Sequence, residues 1–129
     1  MQLIQNCYLS TYTQGAKRKF ILKNTGTNII GRKAKIINPA VNVSLDTDDQ
    51  EISRKHCQLK ILLSTAGHVF LLKDLGSRNG IIVFNRQRQA MEISGTDEIF
   101  IENGYILQLG KTEFEFHVKY AEQPTDLKI

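Results

Sequence analysis

The chain has 129 residues, which is enough for one domain whose hydrophobic core needs neither disulfides nor a metal ion to hold it together. Hydrophobic residues make up 41% of the sequence and charged residues 23%, and no apolar run approaches the roughly 18 residues of a membrane-spanning helix. The formal charge of +4 allows an anionic partner but does not identify one.

Short apolar runs separated by turn residues follow one another along most of the chain. They cover residues 3–4, 20–22, 28–30, 43–45, 56–61, 69–72, 81–84, 98–101, 106–109 and 111–118. In the last run, Phe114, Phe116 and Val118 alternate with polar residues, which is the pattern of a strand with one buried face. No segment keeps an apolar repeat of about 3.6 residues over several helical turns. About ten short strands at this spacing predict an all-β sandwich or barrel.

The two ends of the chain carry signals of their own. Residues 121–129 contain Pro124 and few apolar groups, so we predict a domain over residues 1–120 and the start of a linker or tail after it. The N-terminal residues lack the basic start and long apolar stretch of a secretory signal peptide, so we expect an intracellular protein.

The sequence contains no recognisable catalytic or metal-binding pattern. Cys7 and Cys57 belong to no CxxC pair, which argues against a zinc site or a disulfide framework. The histidines are accompanied by neither a G-x-S-x-G elbow nor an H-E-x-x-H motif. Residues 110–112 are Gly-Lys-Thr, as at the end of a P-loop, but Tyr105 stands where that motif needs glycine, and a strand pattern follows. We therefore expect a protein without enzymatic activity, cofactor or metal.

Three stretches next to predicted strands combine residues that suit a phosphate group. They are Gly31-Arg32, Ser53-Arg54-Lys55-His56, and the segment that runs from Asp74 to Gly80. An arginine guanidinium can hold two phosphate oxygens with parallel charged hydrogen bonds, and a serine hydroxyl adds a neutral donor. An asparagine offers both a donor and an acceptor, which suits a peptide main chain. Each stretch alone is also compatible with an ordinary turn or surface charge, but their order and spacing on an all-β chain favour a shared function.

At these residues the chain resembles the forkhead-associated (FHA) domain family. The matching elements are Gly31-Arg32, then Ser53-x-x-His56, then Asn79-Gly80 within the segment 75–80, and the resemblance runs from about residue 28 to residue 118. It implies a β-sandwich of about eleven strands that binds phosphothreonine peptides through loops at one end.

The resemblance also implies which residues contact the peptide. Arg32 would contact the phosphate, and Ser53 would donate its hydroxyl to it. Arg54 would add a second positive charge. Arg78 would line the phosphothreonine site, and Asn79 would hold the peptide main chain next to the phosphothreonine.

Three further residues would support the site without contacting the peptide. Gly31 and Gly80 would allow a backbone conformation, or a close approach between backbone segments, that other residues do not permit. The His56 ring would hold the binding loops together by packing and hydrogen bonding, so the resemblance implies a structural role for it.

Two positions depart from the family pattern. Ile81 stands where the family often has threonine. Glu51 lies two residues before Ser53, where some members carry a basic residue that selects the downstream side chain of the peptide. Glu51 is thus a candidate for selectivity. If its acidic loop, residues 46–51, faces the peptide, acidic residues downstream of the phosphothreonine should be disfavoured.

The layout also resembles the N-terminal FHA domains of DNA-damage adaptors, which implies a phosphothreonine-containing partner protein in nuclear checkpoint signalling. Thr13-Gln14 is the TQ pair preferred by damage kinases. It lies in the polar stretch 10–19, which we expect between the first two strands and within reach of a kinase. A phosphorylated Thr13 bound by the loops of a neighbouring copy would give a closed twofold homodimer.

Two other functions are open from the sequence. The basic clusters at residues 17–19, 32–33 and 54–55 can serve nucleic-acid binding, although no aromatic stacking surface or recognition-helix pattern accompanies them. The chain can also be a structural dimerisation domain with a vestigial phosphate site, since an edge strand of a sandwich can pair with that of a second subunit. Within the favoured interpretation we expect neither membrane binding nor direct nucleic-acid contact.

Overall fold

Strands alternate with short turns from Ile4 to Tyr120 in the computed structural model, which describes residues 2–13 and 15–122. The strands are β1 (Ile4–Thr13), β2 (Ala16–Leu22), β3 (Gly26–Arg32), β4 (Val43–Leu45), β5 (Cys57–Ser64), β6 (Gly67–Asp74), β7 (Ile81–Phe84), β8 (Ala90–Ile93), β9 (Glu98–Ile101), β10 (Ile106–Leu109) and β11 (Thr112–Tyr120). The described residues form no helix, and so none that is able to cross a membrane. The predicted linker or tail lies, from residue 123 onward, outside the described residues.

The strands form two sheets that pack against each other. One sheet has the order β2-β1-β11-β10-β7-β8, and the other has the order β4-β3-β5-β6-β9. Neighbouring strands are antiparallel except β3 and β4, which run parallel from the pair Ile30↔Val43 to the pair Arg32↔Leu45. The predicted all-β sandwich of about eleven strands is confirmed.

Alternation along the strands builds the core between the two sheets. In β11 the side chains of Phe114, Phe116 and Val118 are buried, as their spacing predicts. The Phe116 ring meets that of Phe70 from the opposite sheet edge to face, with centroids 5.2 Å apart. Burial of such apolar surface, at about 25 cal/mol per Å², is the main force that holds the sheets together.

The polar stretch 10–19, expected to lie between the first two strands, is instead part of both of them. β1 continues to Thr13, β2 begins at Ala16, and these two residues pair across the turn. The apolar alternation stops early because Thr11 occupies a buried position, where its hydroxyl donates to the Glu113 carbonyl at 2.8 Å. The expectation of a loop there was wrong, since a satisfied buried threonine looks polar in the sequence.

β8 was not predicted as a strand either. It spans only Ala90 to Ile93, and of its side chains only that of Ile93 is buried. As the edge strand of the six-stranded sheet, it pairs on one side with β7. A short edge strand with one buried residue has no alternation for a pattern to detect.

The predicted site residues lie at one end of the sandwich, at the end of β3 and in two loops. Gly31 and Arg32 are the last residues of β3, and the other residues assigned by their motifs lie in the β4–β5 loop (residues 46–56) and the β6–β7 loop (residues 75–80). The β3–β4 loop (residues 33–42) continues the chain from Arg32. β5 begins where β6 ends, since Cys57 pairs with Asp74. The Leu75 N–H then donates to the His56 carbonyl at 3.0 Å. The antiparallel pairing of β5 and β6 therefore holds the β4–β5 and β6–β7 loops side by side.

Candidate phosphate-binding site

The backbone of β3 runs very close to the β4–β5 loop where the strand ends. The Arg32 N–H donates to the Ser53 carbonyl at 3.0 Å. A Cβ atom at Gly31 would lie 1.9 Å from the Arg54 carbonyl oxygen, so only glycine fits there. This close approach fixes the backbone of Arg32 beside that of Ser53.

His56 is fully buried, and its ring joins two loops. Nδ1 accepts a hydrogen bond from the Ser53 N–H at 2.9 Å, while Nε2 lies 2.8 Å from the Gly80 carbonyl oxygen. Because Nδ1 accepts, the ring proton belongs on Nε2, which donates to Gly80. Burial lowers the pKa of His56, and the Gly80 carbonyl with the charges of Asp74 and Asp49 offsets only part of that effect. A neutral imidazole therefore ties the β4–β5 loop to the end of the β6–β7 loop.

The Arg32 side chain is half-buried and held at one nitrogen. Its Nε donates to the Ile52 carbonyl at 2.9 Å, which fixes the plane of the guanidinium. Within residues 2–13 and 15–122, no carboxylate lies within salt-bridge distance of Arg32, Arg54 or Arg78. The terminal nitrogens of Arg32 are thus oriented donors available for an anionic ligand.

Ser53 directly follows Ile52, the residue whose carbonyl accepts from the Arg32 guanidinium. Its Oγ accepts a hydrogen bond from the Arg78 N–H at 3.1 Å, which also holds the β6–β7 loop against the β4–β5 loop. A hydroxyl that accepts one hydrogen bond still has its own hydrogen to donate. Ser53 therefore combines a structural contact with a free donor.

Asn79 is exposed at the tip of the β6–β7 loop. Its Nδ2 donates to the Glu51 carbonyl at 2.9 Å, which leaves Oδ1 and one amide hydrogen for a ligand main chain. The next residue, Gly80, has φ +68°, and a Cβ atom there would lie 2.9 Å from the Ile93 carbonyl oxygen. Glycine is therefore required where the loop turns back into β7.

The β6–β7 loop folds around Asp74, to which sequence reasoning assigned no role. The buried carboxylate accepts hydrogen bonds from the Ser77 hydroxyl and from three backbone N–H groups at 3.0 to 3.2 Å. The Ser77 hydroxyl in turn accepts from the Gly80 N–H at 3.0 Å. An aspartate followed two residues later by glycine is a common turn signal, so the sequence did contain a pointer. Asp74 and Ser77 shape the loop that carries Arg78 and Asn79.

Two carboxylates of the acidic loop 46–51 contact the β10–β11 turn. The Asp49 carboxylate accepts from the Lys111 N–H and the Thr112 hydroxyl, both at 2.7 Å. Burial favours a raised pKa for Asp49, but the hydrogen bonds from Thr112 and from backbone N–H groups lower the pKa on balance. The Glu51 carboxylate lies 3.1 Å from Lys111 Nζ and thereby raises the pKa of Lys111. Neither carboxylate therefore forms a salt bridge with Arg32, Arg54 or Arg78.

Thr13 is half-buried at the end of β1, where it pairs with Ala16 across a turn. Gln14, the second residue of the TQ pair, lies outside the described residues. In β2 the Arg18 guanidinium lies 3.4 Å from the Asp46 carboxylate. The β1–β2 hairpin is thus linked to the β4–β5 loop.

The cysteines and His117 do not join this site. Cys7 and Cys57 are buried and free, and burial raises the pKa of Cys7 to about 11 and that of Cys57 as well. The Ser10 hydroxyl lies 2.9 Å from His117 Nε2, and the same ring stacks on Tyr8 with centroids 4.7 Å apart. These groups take part in strand packing.

The arrangement suits a phosphate group attached to a peptide. The guanidinium of Arg32, the hydroxyl of Ser53 and the amide of Asn79 come from three separate elements at one end of the sandwich. Arg54 lines the same groove as Arg32. The described residues contain no group of three or more His, Cys, Asp or Glu side chains able to hold a metal ion. The hydrogen-bond donors of Arg32, Ser53 and Asn79 can bind an anion.

Comparison with known proteins covers the whole candidate site. The FHA domain model matches residues 28–110, a range that contains all eight residues assigned to the site by their motifs. No curated protein sequence matches the chain significantly. A structure from a study of phosphothreonine-dependent FHA domain interactions is 26% identical, with 88% of this chain and 96% of that chain covered and a TM-score of 0.60.

Two further structures share the fold. The FHA domain of the CT664 protein from Chlamydia trachomatis is 24% identical, with 91% of this chain and 100% of that chain covered and a TM-score of 0.63. The yeast Dun1 FHA domain, in complex with a doubly phosphorylated peptide derived from Rad53, is 18% identical, with 98% of this chain and 86% of that chain covered and a TM-score of 0.66.

Replacing His56 with alanine should destabilise the fold, because it leaves the Ser53 N–H and the Gly80 carbonyl without their partner. We expect the free energy of unfolding in urea to fall by about 3 kcal/mol. Asn79→Ala, at an exposed position, is the matched control and should change it by less than about 1 kcal/mol. Full stability of His56→Ala would contradict the bridging role.

Acidification should also weaken the fold through His56. Its pKa in the folded state lies below the ordinary value, so the unfolded state takes up the proton first. The stability that the neutral ring contributes is fully present above a pH of about 6.5 and is lost as the pH falls below it. An NMR titration of the ring should give a midpoint below about 6.5, and a midpoint above it would overturn this assignment.

Proposed function

The chain belongs to the FHA domain family, a family of recognition domains that mediate phosphothreonine-dependent protein interactions, and on that premise we propose that it binds phosphothreonine on a partner protein. The observation that carries the proposal is the convergence of Arg32, Ser53 and Asn79 with donors still available. Phosphothreonine carries nearly two negative charges near neutral pH, and arginine-bearing loops are an established means of binding it. The proposal includes no catalytic step.

Arg32 makes the central contact in this proposal. Its guanidinium, oriented by the bond from Nε to the Ile52 carbonyl, binds two phosphate oxygens with its terminal nitrogens. The Ser53 hydroxyl donates to the phosphate, while its oxygen keeps the hydrogen bond from the Arg78 N–H. Arg54 and Arg78 add positive charge that no carboxylate of the described residues neutralises.

Asn79 holds the peptide main chain next to the phosphothreonine. The hydrogen bond from its Nδ2 to the Glu51 carbonyl restricts the amide, so little side-chain freedom is lost when a peptide binds. The loops are held by His56 and Asp74 before any ligand arrives. A preformed pocket of this kind can favour phosphothreonine over phosphoserine through the one extra methyl group, by about 1 kcal/mol.

Glu51 remains the candidate for downstream selectivity. Its side chain is 44% exposed and its carboxylate pairs with Lys111 at 3.1 Å, so its charge is partly compensated. An acidic residue downstream of the phosphothreonine is therefore disfavoured only modestly, on the scale of exposed charge interactions. The departure from the basic residue that some family members carry at this position supports a different downstream preference.

The cellular setting remains a prediction from the sequence. We propose that the chain acts as an adaptor in nuclear DNA-damage or checkpoint signalling, and that phosphorylated Thr13 links two copies. The FHA domain from Chlamydia trachomatis is bacterial, so the fold alone does not imply a nucleus. Thr13 pairs with Ala16 in the β1–β2 hairpin. A dimer linked through Thr13 therefore requires this hairpin to reach the phosphate-binding loops of a second copy.

Direct nucleic-acid binding is not part of the proposal. Of the basic cluster on β2, Arg18 pairs with Asp46, and Lys19 Nζ lies 4.7 Å from the centre of the Tyr8 ring. Engagement of these side chains within the chain favours a structural use of the cluster.

Replacing Arg32 with alanine should remove most of the affinity for a phosphothreonine peptide. Loss of a charged hydrogen-bond pair costs about 2 to 5 kcal/mol, which raises Kd by about thirtyfold or more. Lys119→Ala removes one exposed positive charge near the C-terminal end of β11, away from the β10–β11 turn that contacts the acidic loop. It is the matched control and should leave the affinity unchanged. Isothermal calorimetry measures both variants. Equal affinities of Arg32→Ala and the parent protein would exclude Arg32 from the site.

A further inference from the structure

A surface groove adjoins the two arginines of the proposed phosphate site. It has a volume of about 970 Å³, and residues of the β3–β4 loop form most of its wall, together with Arg32 and Arg54. Its apolar lining includes Ile36, Ile37 and Val41. None of the described residues that line it is acidic. The groove therefore combines positive charge with bare apolar surface.

The two isoleucines are the most exposed large apolar side chains of the described residues. Ile36 is 86% exposed and Ile37 is 84% exposed. A single exposed apolar residue is ordinary on a protein surface, but two adjacent ones beside an anion site form a patch that water solvates poorly. Such a patch typically marks a place where a partner binds.

The loop that carries the patch is fixed by hydrogen bonds at both ends. At its start the Lys33 N–H donates to the Leu45 carbonyl at 2.8 Å. At its end the Asn42 side chain accepts from the Ile29 N–H at 2.7 Å. In between, a turn is closed by the bond from the Val41 N–H to the Asn38 carbonyl at 3.0 Å. The segment that carries the isoleucines is thus anchored on both sides, which limits the entropy lost on binding.

We propose that this groove binds a large apolar side chain of the same phosphothreonine peptide, upstream of the phosphothreonine. The groove shares Arg32 and Arg54 with the phosphate site, so one peptide reaches both surfaces. Ser53, Asn79 and Glu51 do not line it, so the groove is a surface separate from the Asn79–Glu51 contact. Since Glu51 is the downstream candidate, the groove takes the upstream residues. This inference rests on the proposed function.

The test compares phosphothreonine peptides of alanine and glycine that differ at one position. A leucine is moved through the positions upstream of the phosphothreonine, then through those downstream, and Kd is measured by fluorescence anisotropy. At the best upstream position, leucine should bind about tenfold more tightly than alanine, the scale of an aliphatic side chain that is partly buried. Downstream leucine should give no such gain.

Two pairs of substitutions locate the effect. Ile36→Ser with Ile37→Ser should abolish the gain from leucine while the alanine peptide keeps its affinity. Leu62→Ser with Leu63→Ser removes two exposed leucines at the far end of β5 and is the matched control, which should keep the gain. Thermal melts check that each variant is folded, as exposed positions predict.

The outcomes separate this inference from the proposed function. If the parent protein binds the phosphorylated and unphosphorylated peptides equally weakly, the proposed function fails and the inference with it. If phosphopeptides bind but leucine gives no upstream gain, or the gain survives the isoleucine substitutions, only the inference is overturned. Tight binding of the unphosphorylated leucine peptide, or a dimer that depends on Ile36 and Ile37 in sedimentation, would overturn it too, because the occupant would be different.

Discussion

One neutral imidazole holds the binding end of this sandwich together. His56 lies three residues after Ser53, so its ring turns back to accept the Ser53 N–H, and its other nitrogen donates to the Gly80 carbonyl. The backbone N–H of His56 donates to the Ile30 carbonyl in β3. The three elements that carry Arg32, Ser53 and Asn79 therefore meet at a single residue. A protonated ring would present a second N–H to that of Ser53, so the bridge exists only while the ring is neutral.

Asp74 and Asp49 bind mainly backbone groups, and no carboxylate within residues 2–13 and 15–122 forms a salt bridge with Arg32, Arg54 or Arg78. Asp74 accepts from N–H groups of the β6–β7 loop and from that of Gly95, while Asp49 accepts from the β10–β11 turn. Had either carboxylate paired with Arg32, a ligand phosphate would have to displace it. The two kinds of charge therefore have different uses: these carboxylates shape the loops, and the guanidinium groups of Arg32, Arg54 and Arg78 stay available for a ligand. The groove beside Ile36 and Ile37 follows the same division, since its charged residues are all basic.

Much of this architecture could be predicted from sequence, and the exceptions have physical reasons. The apolar alternation of β11 is recognisable in the sequence because every buried position of the strand is apolar. In β1 a buried threonine interrupts the alternation, and in β8 only Ile93 is buried, so neither strand could be bounded by pattern. The motif residues do gather at one end of the fold. The role of Asp49 was missed because its partner Lys111 is 62 positions away. Asp74 differs, because most of its partners are two or three residues away, and the sequence contained that turn signal.

The most direct measurement of the central idea is the state of the His56 ring with and without ligand. A long-range nitrogen–proton NMR spectrum, recorded before and after saturation with a phosphothreonine peptide, reports the tautomer and charge of the ring. The account predicts the neutral form protonated at Nε2 in both states, while the amide signals of Ser53 and Arg78 shift on binding. A ring that becomes charged or changes tautomer when the peptide binds, or amides that do not respond, would contradict a preformed phosphate site held by His56.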